Sequence, residues 1–315
     1  MSLLVNPAYA PDTLERSDPS RAAEARAFHE ALPGYAPTPV HELAPGVFLK
    51  DESDRLGLPA FKVLGASWAI ESALRGRGDV HTLVAASAGN HGRAVAHVAG
   101  RRGLAAKVFL PERARPARRA AIEGEGAEVV VGGTYEDAVA LAAAEGRRDG
   151  FLELADVGEG GGPAEWVIEG YATLFAELAE QASFAALIVP AGVGSLAAAA
   201  ARFGAQAGVE VWVVEPETAA CVTASLAAGA PTAIDNPGTA MAGLDCAEVS
   251  AAAWPSLRAG VRGTITVSDE QARAAMDELA ARGLAIGDCG AAPLAALPLL
   301  DVRPVALIAT EGLTG

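Results

Sequence analysis

The stretch TLVAASAGNHGRAVAHVAGRRG, residues 82–103, decides the fold class. Its first five residues form a short apolar run, which is typical of a buried strand. From His91 onward the apolar residues lie three and four positions apart, which predicts a helix, and Gly103 is a typical helix stop. A buried strand joined to a helix by a short loop of small residues is the repeating unit of an α/β protein.

The same alternation extends over most of the chain. A second helical pattern, TYEDAVALAAAEG, begins at Thr134. Because strand, helix, strand connections are right-handed and join parallel strands, we predict mostly parallel sheet with helices on both faces. The other predicted strands are GVFLK (46–50), AKVFL (106–110), AEVVV (127–131), ALIVP (186–190), VWVVE (211–215) and VALIA (305–309).

The predicted elements suggest two domains. Residues 77–161 contain a compact series of strands and helices and end in a glycine cluster, which predicts a small inserted α/β domain. Residues 1–76 and 162–315 would then form the large domain. The stretch APTAIDNPGTAMAGLDCAEVSAAAWP, residues 230–255, has few strand or helix signals, so we expect an irregular segment that lines a cleft.

Composition excludes several classes of partner. The 315 residues are 51% hydrophobic and only 5% aromatic, as in an alanine-rich globular protein. The formal net charge of −15 repels nucleic acid and anionic lipid, so we expect neither as a partner. The uncharged run 181–201 is interrupted by proline and glycine, which favours a strand, a turn and a helix over a membrane span.

The N-terminal residues and the cysteine spacing bear on cellular location and on metal or disulfide sites. The N-terminal residues lack the basic and apolar regions of a signal peptide, so we expect a cytoplasmic protein. Cys221, Cys246 and Cys289 lie far apart without CxxC or histidine spacing. We therefore expect no metal site and no disulfide framework, and interpret the cysteines as small buried side chains.

Two glycine-containing loops each follow a predicted strand and precede a helix. In SAGNHGRA (87–94), Ser87 or Asn90 could cap the helix, or the exposed backbone N–H groups could bind a carboxylate or phosphate. The second loop, PAGVGSLAAA (190–199), favours a phosphate cradle over a plain tight turn, because its glycines let the backbone approach an anion. It matches neither GxGxxG nor the GxxxxGK[ST] motif.

A lysine and a hydroxyl complete the candidate chemistry. Lys62 stands in LPAFKVLGAS (58–67), where apolar neighbours should desolvate its amine and lower its pKa, so that it can attack a carbonyl and form a Schiff base. Thr310 and Glu311 end the last predicted strand, at the sheet edge where α/β proteins bind ligands. Together, these features describe a site for pyridoxal 5′-phosphate (PLP).

At this point the sequence resembles the tryptophan synthase β-like group of PLP enzymes, and within it the diaminopropionate ammonia-lyases. The motifs KDES followed by FKVLG, and GNHGR, are specific for this group. The resemblance covers nearly the whole chain and implies the two-domain, three-layer, parallel-sheet architecture of PLP fold type II. It also implies a small amino-acid substrate, and we expect a homodimer. Further matching segments are ARAFHEALPGYAPTPVHEL, EWVIEGYATL, AGVGSLAA, VVEPETAAC, AMAGLDCAE and ATEG.

The resemblance assigns a role to each candidate residue. Lys62 would be the Schiff-base lysine and general base, with Phe61 beside the cofactor ring. Asn90 would bind the phenolic oxygen of the cofactor and Thr310 its ring nitrogen. The phosphate would lie on Gly192, Val193, Gly194 and Ser195, and the substrate carboxylate on Ser87, Ala88, Gly89, Asn90 and His91.

One departure concerns stereochemistry. The ammonia-lyases carry an aspartate before the GN of GNHGR, where it acts as a base toward the D-substrate, whereas this chain has Ala88. We therefore expect selectivity for L-amino acids. Asp156 matches a second acidic residue of that family and is a candidate catalytic group, the alternative being a strand-end cap or loop charge.

Three functions remain open from the sequence. The favoured one is α,β-elimination from a small β-substituted amino acid, which gives a 2-keto acid and ammonia. The second is β-replacement with the same cofactor, as in a synthase. The third is a non-catalytic or nucleotide-binding α/β module.

Overall fold

The computed structural model describes residues 1–14, 19–87, 89–158 and 160–313, and it contains two separate sheets. The strands are β1 (Ser2–Val5), β2 (Val40–Ala44), β3 (Val47–Asp51), β4 (Thr82–Ala86), β5 (Ala105–Leu110), β6 (Glu128–Val131), β7 (Phe151–Glu153), β8 (Ala186–Pro190), β9 (Glu210–Pro216), β10 (Val261–Val267) and β11 (Val305–Ala309). The helices are α1 (Pro19–Glu30), α2 (Lys62–Leu74), α3 (Asn90–Arg101), α4 (Pro116–Gly124), α5 (Tyr135–Glu145), α6 (Pro163–Gln181), α7 (Ser195–Ala207), α8 (Cys221–Ala228), α9 (Trp254–Gly260), α10 (Asp269–Ala281) and α11 (Asp288–Ala296).

Both sheets are mostly parallel. Among the described residues, the larger sheet has the order β1-β10-β9-β8-β11-β3-β2, and only its two edge strands run antiparallel to their neighbours. The smaller sheet, β6-β5-β4-β7, is parallel throughout. The predicted α/β class is therefore confirmed. The smaller sheet lies within residues 82–153, inside the predicted inserted domain, and the domain boundaries themselves stay a prediction.

The predicted strands all occur, with ends that differ by one residue or none. Four further strands, β1, β2, β7 and β10, were not predicted. In β10 the apolar run is broken by Gly263, where a side chain would lie 2.4 Å from the Leu4 carbonyl oxygen and 2.5 Å from the Trp212 ring. A glycine in that strand therefore marks close packing.

The long uncharged run and the irregular segment also have the predicted form. Residues 181–201 contain β8, a glycine turn and the start of α7, and no described helix is long and apolar enough to cross a membrane. Residues 229–253, between α8 and α9, contain no helix or strand, and the structure describes all of them. Much of this segment lines the cavity where the carboxyl ends of β4, β8 and β11 meet.

Helices α2 and α6 pack against each other through two glycines. A Cβ atom on Gly170 would lie 2.6 Å from the Leu64 carbonyl oxygen and 2.9 Å from the Cα atom of Gly65. A Cβ atom on Gly65 would lie 2.6 Å from the Tyr171 ring. The two backbones are thus in contact, and this contact sets the position of the N-terminus of α2, where Lys62 lies.

We expect Gly170→Ala to destabilise the protein by about 1–3 kcal/mol, because the added methyl group has no space between the helices. Gly124→Ala in α4 is the matched control, since a Cβ atom there meets nothing within 4 Å. Urea unfolding of both variants checks this expectation. Equal stability of the two variants would contradict the packing described here.

Two residues of the KDES motif, Lys50 and Glu52, lie in a buried ionic cluster. The Lys50 ammonium lies 2.8 Å from a carboxylate oxygen of Glu177, and Arg55 binds both Glu177 and Glu52. All four side chains are almost completely buried, and each charge has an opposite partner. The motif therefore contributes charge pairing inside the fold, which the sequence alone did not reveal.

Glu215, at the end of β9, is a buried carboxyl group that caps α8. It accepts hydrogen bonds from the backbone N–H groups of Val222 and Thr223, at 2.7 and 2.8 Å, and from the Thr223 hydroxyl. Burial raises the pKa of Glu215 to about 7, against the hydrogen bonds that lower it. The folded protein therefore holds this proton more tightly than the unfolded chain does.

The stabilisation from this proton is complete below pH of about 4.5 and is lost as the pH rises through about 7. Relative to Glu215→Gln, which cannot titrate, the free energy of unfolding of the unsubstituted protein should fall by roughly 2–3 kcal/mol between pH 5 and pH 8. Unfolding curves at several pH values measure this difference. If the free energy of unfolding had the same pH dependence in both proteins, the raised pKa assigned to Glu215 would be wrong.

Candidate active site

A cavity of about 1310 Å³ lies where the carboxyl ends of β4, β8 and β11 meet. All of the predicted site residues that the structure describes line it, although they come from distant parts of the chain. Ala88 lies outside the described residues. The predicted residues at the cavity are Phe61, Lys62, Ser87, Gly89, Asn90, His91, Asp156, Gly192, Val193, Gly194, Ser195 and Thr310.

Lys62 is the first residue of α2, and the chain before it is fixed to the end of β11. The Phe61 N–H donates to the Thr310 carbonyl oxygen at 3.2 Å, and Gly312 donates to Pro59 at 3.0 Å. The chain has three lysines, and only Lys62 lines this cavity. Its ammonium lies 3.4 Å from Asp156 Oδ2 and 5.5 Å from the centre of the Phe61 ring.

The charge on Lys62 differs from the sequence expectation. Burial lowers the pKa of the Lys62 ammonium, but the neighbouring Tyr171 and Asp156 outweigh burial, and the net shift is upward. The expected lowering of this pKa is therefore wrong for the protein as described. The apolar neighbours were visible in the sequence, whereas the carboxylate, 94 positions away, was not.

Asp156 lies in the loop after β7 and points into the cavity. Its Oδ2 atom faces Lys62 at 3.4 Å and His91 Nδ1 at 4.0 Å. Burial raises the pKa of this carboxyl, but His91 and Lys62 outweigh burial and hold it below its ordinary value. The side chain is thus an ionised partner of Lys62, which favours the catalytic interpretation over a loop charge.

His91 is buried beside Asp156. Its Nε2 atom lies 2.8 Å from the Leu154 carbonyl oxygen, which can only accept, so Nε2 carries a proton. Its Nδ1 atom is buried and has no hydrogen-bond partner within the described part of the chain. The fixed Nε2 contact leaves Nδ1 directed toward Asp156.

The loop between β8 and α7 has the form of an anion cradle. Gly194 has a φ of +96°, and a Cβ atom there would lie 2.6 Å from Leu257 Cδ1. A Cβ atom on Gly192 would lie 2.9 Å from Cys246 Sγ. The loop therefore exposes backbone at the N-terminus of α7, where N–H groups and the helix dipole attract a phosphate.

The loop between β4 and α3 has a second exposed helix N-terminus. Gly89 is the N-cap of α3, and no described side chain caps that helix. The Ser87 hydroxyl accepts instead from the Gly89 N–H at 3.3 Å. The helix-cap alternative for Ser87 and Asn90 is therefore wrong, and the N-terminal N–H groups are available to an anion.

The third part of the site follows β11. Thr310 and Glu311 are both buried, and Asn90 Nδ2 donates to Glu311 Oε2. Glu311 Oε1 has no hydrogen-bond partner among the described residues, and burial raises the pKa of this carboxyl. Glu311 had no predicted role, although a charged residue directly after an apolar strand is a usable signal.

The three cysteines are free thiols, as far as the described chain extends. Cys221 and Cys289 are buried as expected. Both Cys289 and Cys246 line the cavity, and Cys246 lies beside the anion cradle. The Cys289 sulfur, together with carboxylate oxygens of Asp288 and Glu311, forms a group whose atoms lie within 4.8 Å of one another. The Cys289 thiol donates to Asp288 at 3.3 Å.

These features fit PLP. A lysine amine, an anion cradle, a second helix N-terminus and a hydroxyl at a strand end surround one cavity. Side chains at positions 192 and 194 would collide with Cys246 and Leu257, so this loop requires glycine and exposes its backbone. The fold and the site together define a PLP-dependent enzyme of fold type II.

Comparison with known proteins gives the same class. The chain belongs to the pyridoxal-phosphate dependent enzyme family, whose model matches residues 31–309. A diaminopropionate ammonia-lyase of Salmonella typhimurium is 34% identical over 291 residues, which cover 78% of this chain and 72% of the relative. The hypothesis of a non-catalytic or nucleotide-binding α/β module is therefore wrong, and the resemblance to the ammonia-lyases is confirmed.

Solved structures agree with the sequence relatives. The diaminopropionate ammonia-lyase of Escherichia coli in complex with D-serine superposes with a TM-score of 0.90 at 28% identity, covering 99% of this chain and 94% of that one. The same enzyme with an aminoacrylate-PLP azomethine reaction intermediate gives a TM-score of 0.88 at 29% identity, with the same coverage.

Proposed function

We propose that this chain catalyses α,β-elimination from a small β-substituted L-amino acid, with diaminopropionate as the first substrate to test, and releases a 2-keto acid and ammonia. The observation that carries the proposal is Lys62, which lies beside Asp156 in the same cavity as an anion cradle. The ammonia-lyase relatives support the same reaction class.

When bound, PLP would withdraw the electron pair left behind by the departing α-proton. Lys62 would hold the cofactor, Gly192 to Ser195 its phosphate, Asn90 its phenolic oxygen and Thr310 its ring nitrogen. A hydroxyl at Thr310, unlike a carboxylate, does not keep a pyridine nitrogen protonated. This difference favours elimination or replacement over transamination.

The proton transfers follow from the Lys62 and Asp156 pair. As a free amine, Lys62 Nζ accepts the α-proton of the substrate, and the Asp156 carboxylate 3.4 Å away stabilises the ammonium so formed. The group on Cβ then leaves with the electrons of its bond, and the Lys62 ammonium is a nearby proton donor for it. Hydrolysis of the unsaturated amine product gives the keto acid and ammonia.

Selectivity for the L-substrate rests on the residue type at position 88, because an alanine has no group that can act as a base toward the D-substrate. A keto-acid assay over L- and D-diaminopropionate, serine, threonine and hydroxyaspartate tests both parts of the proposal. We expect turnover of at least one L-substrate, and turnover of D-diaminopropionate about a hundredfold slower than that of the L-form. Comparable rates on both enantiomers would refute the L-selectivity.

Product analysis with and without an added thiol or amine separates elimination from β-replacement. Keto acid as the main product in both cases supports the lyase, and a new β-substituted amino acid would favour the synthase. We further propose a cytoplasmic homodimer. Both parts of this proposal rest on the resemblance to the family.

A further inference from the structure

Arg118 lies beside the loop that is proposed to receive the substrate carboxylate. It is a partly buried residue of α4, and its guanidinium lines the cavity. The Nη1 atom lies 3.6 Å from the position that a Cβ atom would take on Gly89. The positive charge therefore stands directly next to the N-terminus of α3.

No described group neutralises this guanidinium at short range. Its Nε atom is buried and has no hydrogen-bond partner in the described structure. Two nearby arginines are paired, Arg119 with Glu123 at 2.8 Å and Arg93 with Glu125 at 2.9 Å, whereas no described carboxylate lies within 4.0 Å of Arg118.

Arg118 also acts electrostatically on the buried carboxyl of Glu311. The charge of Arg118 acts to lower the pKa of Glu311, although burial outweighs it. Glu311 Oε2 accepts a hydrogen bond from Asn90, and the Glu311 carboxylate does not come within 4.0 Å of Arg118. Arg118 thus remains a cation at the cavity without an acidic partner among the described residues.

Two sources of positive potential converge on the space above Gly89. The uncapped N-terminus of α3 presents backbone N–H groups, and Arg118 adds a planar fork of donors that matches a carboxylate. The phosphate cradle lies at the N-terminus of a different helix, α7. The anion suited to the α3 and Arg118 pair is therefore a carboxylate of the substrate.

We propose that Arg118 binds the α-carboxylate of the substrate and makes the site selective for free amino acids over their amides. The proposal rests on the proposed function, because it takes an amino acid as the ligand. Through Arg118, helix α4 takes a direct part in recognising the substrate carboxylate, which neither glycine loop does by itself.

The test measures binding separately from turnover. L-alanine has no leaving group on Cβ, so its titration into the PLP-loaded protein, followed by cofactor absorbance, reports binding alone. L-alaninamide is the same ligand without the carboxylate. The variants are Arg118→Ala, Arg118→Lys and, as a matched control on the same helix, Arg119→Ala.

We expect Arg118→Ala to weaken L-alanine binding about 10- to 100-fold and to leave L-alaninamide binding unchanged. Arg118→Lys should recover part of the affinity, and Arg119→Ala should bind like the unsubstituted protein. Unchanged L-alanine binding in Arg118→Ala, or an equal loss for both ligands, would overturn the proposal. Absence of keto acid from every substrate, with L-alanine binding still dependent on Arg118, would instead count against the proposed elimination alone.

Discussion

Lys62→Ala is expected to lower turnover at least about a thousandfold and to remove the yellow colour of the cofactor-loaded protein. The amine at position 62 is the group that would hold the cofactor covalently and carry the α-proton, and a positioned acid–base group alone contributes about 10²- to 10⁴-fold. The keto-acid assay and the absorbance spectrum after dialysis measure the two effects.

Lys107→Ala is the control for this experiment. Lys107 lies on β5, where it pairs with Glu145 at 3.1 Å and Glu128 at 3.3 Å, and it does not line the cavity. Its replacement should leave both colour and turnover unchanged. A Lys62→Ala protein that keeps its colour after dialysis would show that the cofactor is held by another group.

Asp156→Asn is expected to change two measurements in opposite directions. Without the carboxylate, burial acts on the Lys62 ammonium with less opposition, so its pKa should fall. Turnover should drop about a hundredfold, because the ammonium formed during proton transfer loses its counter-charge. In protein stripped of cofactor, added PLP should react faster at neutral pH, because more Lys62 is then uncharged.

The opposed directions separate this role from simple unfolding, which would slow both reactions. Asp245→Asn is the matched control, because Asp245 also lines the cavity but accepts a hydrogen bond from Asn236 at 2.8 Å. It should not alter the rate at which PLP reacts with Lys62. Slower reaction of PLP with Asp156→Asn would contradict the charge pairing.

Much of the fold could be predicted because the interior strands are continuous apolar runs followed by glycine-bounded helices. Strands β1, β2, β7 and β10 were not predicted because they are short, partly exposed or interrupted by residues such as Gly263. Local pattern cannot indicate that a strand-breaking residue is required by the approach of Trp212.

The candidate site was predictable where a role depends on local sequence. Glycine loops before helices and a lysine among apolar residues are visible within ten positions of the chain. The pKa of Lys62 and the position of Arg118 depend on contacts between distant segments, such as Lys62 with Asp156 and Arg118 with Gly89. The residue types alone do not indicate whether the pKa of Lys62 is raised or lowered, or which loop Arg118 lies beside.

The glycine contact between α2 and α6 has an evolutionary consequence. This contact holds Lys62 on the side of the larger sheet, where the phosphate cradle and Thr310 also lie, whereas Gly89 and Arg118 belong to segments around the smaller sheet. Substitutions on the second side can alter which amino acid is accepted while the reactive amine keeps its place. A single ancestral scaffold could thus diversify in substrate without rebuilding its chemistry.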